Sequence, residues 1–203
     1  MKNGIRSKVL WGAVLFIAMG MSGLTAIAQM PGAPGAGPGG DLVRIRRMTP
    51  TKEKTPVFRT ATASQASARQ PDWWRVVVDF ETSADWLDEL ECTYYVYMKD
   101  QSNKGAEVMF RGSVTYVNVP KGRHQSDMFL HPGTLARMGN PEQVAVVMKH
   151  RGAVVGTEST AKTPNWWERF SPVDGVLLNR SQTPFAFIDY DAFNAIKPQT
   201  AAR

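Results

Sequence analysis

A chain of 203 residues, 43% hydrophobic and 21% charged, is long enough for one sizeable core and too short for two ordinary domains with tails. Its formal charge of +6 shrinks to 6 − 3 = +3 once Lys2, Arg6 and Lys8 are set aside as the basic head of an apolar run. That weak bias, carried by scattered cations, argues against nucleic acid as a partner, and the lone Cys92 rules out an intramolecular disulfide.

The basic head, the apolar stretch from Val9 and the small-x-small site Ala26-Ile27-Ala28 before Gln29 predict a secretory signal peptide over 1–28. The chain is therefore expected to be exported, to the periplasm or the outer membrane. Left uncleaved, the same stretch is long enough to anchor the chain in a bilayer, so membrane contact is expected only by association or through such an anchor. Residues 29–70 form a spacer and an extended arm: glycines and prolines from Met30 to Gly40, without the strict triplet of collagen, then a Thr/Ser/Ala/Lys-rich stretch from Thr49 to Gln70. Between them, Leu42 to Arg47 alternates briefly, as an edge strand or as a segment that orders on a partner.

The folded domain is expected over 71–203. Trp74, Val76, Val78 and Phe80 share one parity and Trp73, Arg75, Val77, Asp79 and Glu81 the other, which is the period of a half-buried strand. From Thr82 to Leu90 the pattern breaks, as one helical turn or a bent crossover. Glu91 to Lys99 is the clearest strand: Cys92, Tyr94, Val96 and Met98 line one face, and Thr93, Tyr95 and Tyr97 the other. A polar loop, Asp100 to Gly105, leads to a strand from Glu107 to Val119, and Pro120-Lys121-Gly122 reads as a turn before a returning strand, His124 to Leu130. Pro132 at a first helical position and Gly139 as a stop predict one short helix. Gln143–Lys149 and Ala153–Thr157 flank Arg151-Gly152 as a hairpin, with Val144, Val146 and Met148 inward. Asn165–Phe170 and Gly175–Leu178 are candidate short strands, and Asp189–Lys197 is a docking helix or a tail.

Many short strands without a sustained helix predict an all-β protein. The favoured form is an immunoglobulin-like antiparallel β-sandwich with short helical turns, centred on Tyr94 or Trp86, and the alternative is an oligonucleotide-binding-type (OB-like) barrel.

Residues with chemistry are sparse. His124, Asp127 and His131 could hold zinc or move protons, but on one strand His124 points away from the other two, so turn and capping roles are the simpler reading. Asp88, Glu89 and Glu91 are neighbours on one segment and do not straddle a substrate as a glycosidase pair must. His150 beside Arg151 reads as a solvated loop residue. Cys92 in a strand core is expected to be inert, and no serine sits in a G-x-S-x-G elbow. No catalytic residue, metal ligand or cofactor is therefore assigned. The tryptophan pairs Trp73-Trp74 and Trp166-Trp167 offer partner-binding candidates instead: adjacent strand residues point to opposite faces, leaving Trp73, Trp166 and Trp167 as candidate anchors for a protein or a sugar, or as packing under the arm.

The ordered run D-W-W-R-V-V-V-D-F-E from Asp72, W-L-D-E-L-E-C-T-Y-Y-V from Trp86, G-S-V-T-Y-V-N-V from Gly112 and H-Q-S-D-M-F-L-H-P-G-T-L-A-R-M-G from His124 resembles the immunoglobulin-like, type IV pilus-associated secreted proteins of verrucomicrobial bacteria. The likeness covers roughly 71–160. It implies a non-enzymatic envelope protein with a structural or adhesive role, whose partners are pilus or envelope proteins or a second copy of itself. The alternative is a carbohydrate- or surface-ligand-binding module using exposed tryptophans.

Overall fold

The computed structural model describes residues 42–57 and 70–198. The expected signal peptide, the spacer and residues 58–69 of the arm lie outside these. Two long strands, β2 (Asp72–Asp100) and β3 (Ala106–Leu130), pair antiparallel from Trp74 opposite Leu130 to Asp100 opposite Ala106. Asp100 closes the tight end: its carboxylate accepts from the Ser102 amide at 2.9 Å, and Lys104 and Gly105 turn the chain at φ of 51° and 77°.

Because β3 occupies one edge of β2 throughout, all other partners of β2 share the opposite edge. β1 (Val43–Lys54) pairs with its first half, and β4 (Gln143–His150) with Glu91–Tyr97 in its second half. β5 (Ala153–Ser159) then pairs with β4. On the free edge of β3 sit two short strands, β6 (Pro172–Asp174), parallel at Met109–Arg111, and β7 (Leu177–Asn179), antiparallel at Met128–Leu130.

The long pair bends in the middle. Register breaks between Thr82 and Trp86 on β2, while β3 passes through Asn118 at φ 52° and Gly122 at φ 139°. The Thr82 hydroxyl ties the two irregularities together, donating to the Pro120 carbonyl at 2.7 Å and accepting from the Gly122 amide at 3.1 Å. Beyond the bend the two halves face each other. Trp74, Val76, Val78 and Phe80 of the first half meet Cys92, Tyr94, Val96 and Met98 of the second, with Val144, Val146 and Met148 of β4 completing the core. Burial of these side chains is the main stabilising term.

The all-β class and the inward faces of β2 and β4 are as the alternation predicts. So are the hairpin at Arg151-Gly152, whose φ values of 50° and 80° suit a tight turn, and the helix α1 (Pro132–Met138), stopped by Gly139. The two β layers belong to one hydrogen-bonded sheet, joined through β2 and β3.

Local reading fails where distant segments decide. Pro120-Lys121-Gly122 is a bend within a continuous strand, because Thr82 holds both of its ends. Of the two readings of Leu42 to Arg47, the edge strand holds and extends as far as Lys54, since β1 finds its ladder on β2 of the same chain. Trp166–Arg169 is a 3₁₀ turn in place of a strand. From Asp189 the chain makes one 3₁₀ turn, Tyr190–Ala192, and then runs extended, with Ile196 bridging Tyr116.

Candidate functional site

Bending the sheet leaves two outward faces, and different segments treat them differently. On the first half of β2 and the last part of β3, which pair antiparallel, the outward residues are Trp73, Arg75, Asp127 and Phe129, and the C-terminal segment from Leu177 to Phe193 lies over them. Asp127, fully buried, accepts from Arg75 Nη2 at 2.9 Å and from Arg180 Nη2 at 2.7 Å. The Arg180 Nη1 group donates onward to the carbonyls of Phe185 at 2.8 Å and Ile188 at 2.6 Å, and the Phe193 ring lies 3.6 Å from its guanidinium carbon. Two arginines thus satisfy one buried carboxylate and strap the tail to the sheet. Trp73 is sealed beneath, 5% exposed, its Nε1 donating to Thr55 Oγ1 at 3.0 Å and its ring edge-on to Phe129, Phe185 and His131.

On the second half of β2, Tyr95 and Tyr97 face outward and meet the turn Trp166–Arg169. Trp166 packs edge-on against Tyr97 and donates from Nε1 to Ser159 Oγ at 2.9 Å; Trp167 stacks on Tyr95 with centroids 5.6 Å apart and planes 16° from parallel. Burial and the neighbouring Glu107 carboxylate, 2.8 Å from its hydroxyl, push the Tyr97 phenol up to about 12. Trp166 and Trp167 are 3% and 8% exposed. All three tryptophan candidates are therefore packing residues within this chain, and the parity that turned Trp73 away from the central core turned it under the tail.

Past Trp167 the cover ends and a trough opens on the sheet face. Its two lobes, about 480 Å³ beside Trp167 and Phe170 and about 430 Å³ beside Asp174 and Gln182, share Tyr95, Arg111 and Lys149. Arg111 grips Asp174 through two parallel bonds of 2.8 and 2.7 Å, which lowers the Asp174 carboxyl and raises the Arg111 guanidinium. Glu91 lies directly across from Lys149 in the ladder and accepts from Thr93 Oγ1 at 3.0 Å. Burial raises the Tyr95 phenol. A third hollow, about 610 Å³ between Arg46, Asp79 and His124, has its charged groups already engaged: Gln125 donates to the Asp79 carboxylate at 2.8 Å, and Arg46 binds Glu81 nearby and holds that carboxyl low.

The catalytic candidates do not converge. His124 Nε2 is 2.7 Å from the Pro120 carbonyl, His131 Nδ1 accepts from the Gly133 amide at 3.0 Å as the cap of α1, and Asp127 belongs to the arginine strap. Among the described residues, no group of three or more His, Cys, Asp or Glu side chains is placed to hold a metal ion. His150 contacts the Glu89 carbonyl at 2.8 Å. Asp88 pairs with Arg151 and Glu89 with Lys197, so the acidic run serves loop and tail. Cys92 is wholly buried, its thiol pushed up to about 12 by burial. Trp86, expected as a possible aromatic centre, stands 66% exposed at the bend, and Tyr94 is the buried centre.

Fold and site together define an all-β protein with one outward sheet face strapped shut and the other opening into a polar, aromatic-backed trough. Residues 39–200 match a protein-family model, and the chain belongs to the family which that model defines. Among solved structures it is similar to a protein from Akkermansia muciniphila, a verrucomicrobial bacterium, at 21% identity, covering 78% of this chain and 94% of that one with a TM-score of 0.70. At that identity the likeness is one of fold. No curated protein matches.

Proposed function

We propose that this chain is a non-enzymatic component of the cell envelope, exported to the periplasm or outer membrane and serving a type IV pilus system in a structural or adhesive role. The observation that carries it is the employment of the candidate catalytic groups: His124 and His131 bond backbone, and Asp127 is paired with two arginines, so each contributes to the fold. Family membership and the fold shared with the Akkermansia muciniphila protein support kinship with the immunoglobulin-like pilus-associated proteins that the stretch 71–160 resembles. Pilus or envelope proteins, or a second copy, are then the partners.

Deleting the gene and measuring surface pili, adhesion and the levels of neighbouring envelope proteins tests the role; no change in any of them refutes it. Fractionation and intact mass of the mature protein test export, with a mature start at Gln29 expected.

A second reading, binding of a surface ligand, is favoured by the trough at Tyr95. The exposed-tryptophan form of that reading does not carry over to Trp73, Trp166 and Trp167, which are buried.

A further inference from the structure

We infer that the trough over Tyr95 binds a neutral oligosaccharide chain. The inference rests on the surface-ligand reading and is independent of the pilus association.

Each lobe falls within the range of roughly 300–1,000 Å³ typical of ligand sites, and the two lobes adjoin at the shared residues Tyr95, Arg111 and Lys149. Such a trough suits a short polymer of repeating rings. A sugar ring presents apolar C–H groups on its faces and hydroxyls round its rim. It therefore needs a fixed aromatic surface with donors and acceptors beside it. Tyr95 supplies the surface, and the stacked Trp167 behind it fixes the ring's orientation. Around it stand groups with unused hydrogen-bonding capacity: the outer lone pairs of Asp174 and Glu91, the ammonium of Lys149 and the amide nitrogen of Gln182. The Arg111–Asp174 fork is already in place, so binding need not order it.

Charge and backbone point away from other occupants. Two cations, Arg111 and Lys149, face three carboxylates, Glu91, Asp174 and Glu168, a balance of 2 − 3 = −1 that does not attract a polyanion. The central floor strand, β2, is flanked by β3 and β4 along this stretch, so it presents no free ladder for an added peptide strand.

The test is calorimetric titration of the mature chain with chitotetraose, cellotetraose and maltotetraose, with a heparin tetrasaccharide and an acetylated octapeptide as competitors, followed in parallel by tryptophan fluorescence. Saturable binding of a neutral tetrasaccharide is expected. Lys149→Ala and Glu91→Gln, at partly exposed positions, should keep the melting temperature and weaken binding about tenfold each. Tyr95→Phe should retain most of the affinity and Tyr95→Ala should lose it. If Tyr95→Ala loosens the fold, the Lys149 and Glu91 variants decide. Binding of the heparin fragment or the peptide in place of the neutral sugars, with the same variant sensitivity, overturns the neutral-oligosaccharide assignment while keeping a ligand site. Absence of binding by every probe at concentrations on the order of 5 mM overturns the inference and the surface-ligand reading together.

Discussion

The Tyr94 phenol donates to the Ser126 hydroxyl at 2.7 Å, although the two residues sit on opposite halves of the bent sheet. Tyr94 lies opposite Gly112 in the ladder and Ser126 opposite Val78, so no strand pairing brings them together. Their bond is a consequence of folding the sheet onto itself. Tyr116 donates to the same hydroxyl at 3.0 Å, so one small serine accepts from both phenols at the centre of the core.

Ser126→Ala should therefore cost more than loss of either tyrosine hydroxyl. Tyr94→Phe removes one bond and leaves Ser126 bound to Tyr116, for about 1 kcal/mol, whereas Ser126→Ala strands two buried phenols, for about 3 kcal/mol. Urea unfolding of the two variants checks the ratio; equal costs would show that the phenols find other partners.

Gly112 is required by the approach of β7. A Cβ there would come within 2.6 Å of Leu177 Cβ and 3.4 Å of Met128 Sδ. Gly112→Ala should destabilise by about 1–3 kcal/mol, as overpacking does, through displacement of Leu177–Asn179. Faster amide exchange at Leu177–Asn179 than across β4 is the expected signature.

Removing the charge on Asp127 should release the tail. Asp127→Asn leaves Arg180 buried, still bonded to the Phe185 and Ile188 carbonyls but without a counter-charge, and losing one partner of a buried pair costs about 3–5 kcal/mol. Limited proteolysis should then cut between Arg180 and Phe193 before the sheet is attacked. Uniform digestion would mean that the strap and the sheet unfold as one unit.

Alkali should weaken the fold from the centre outward. The folded Cys92 thiol titrates at about 12 against an ordinary 9.0, and the Tyr97 phenol at about 12 against 10.0, so the native state holds these protons more tightly than the unfolded chain. Their contribution is intact below pH 9 and is lost as pH rises from 9 towards 12. Between pH 9 and 10, as the unfolded thiol goes from half to almost fully ionised, Cys92 alone should remove about 1 kcal/mol. Urea midpoints from pH 8 to 11 should show the fall beginning later in Cys92→Ala, where Tyr97, Tyr94 and Tyr116 remain. An identical onset would assign it to the phenols.

Much of the sheet was legible because burial on a strand repeats every second residue. Trp74 to Phe80, Cys92 to Met98 and Val144 to Met148 each announce an inward face, and the Pro132 and Gly139 signals bracket α1. The trough was legible only in part. Alternation puts Thr93, Tyr95 and Tyr97 on the outward face, but nothing near them in sequence indicates that Arg111, Lys149 and Asp174 gather round Tyr95 while Tyr97 is covered.

Local periodicity and turn chemistry thus determined the all-β class, the inward faces, the hairpins and the short helix, since these depend on residues close in the chain. Tertiary structure alone decided that Pro120–Gly122 bends a strand in place of ending it, that Trp73, Trp166 and Trp167 are covered, and that the face beside Tyr95 stays open. An outward side chain reports only that it leaves the central core. Whether water or another segment meets it depends on contacts as distant as Arg75 with Asp127 or Arg180 with Asp127, which no local pattern records.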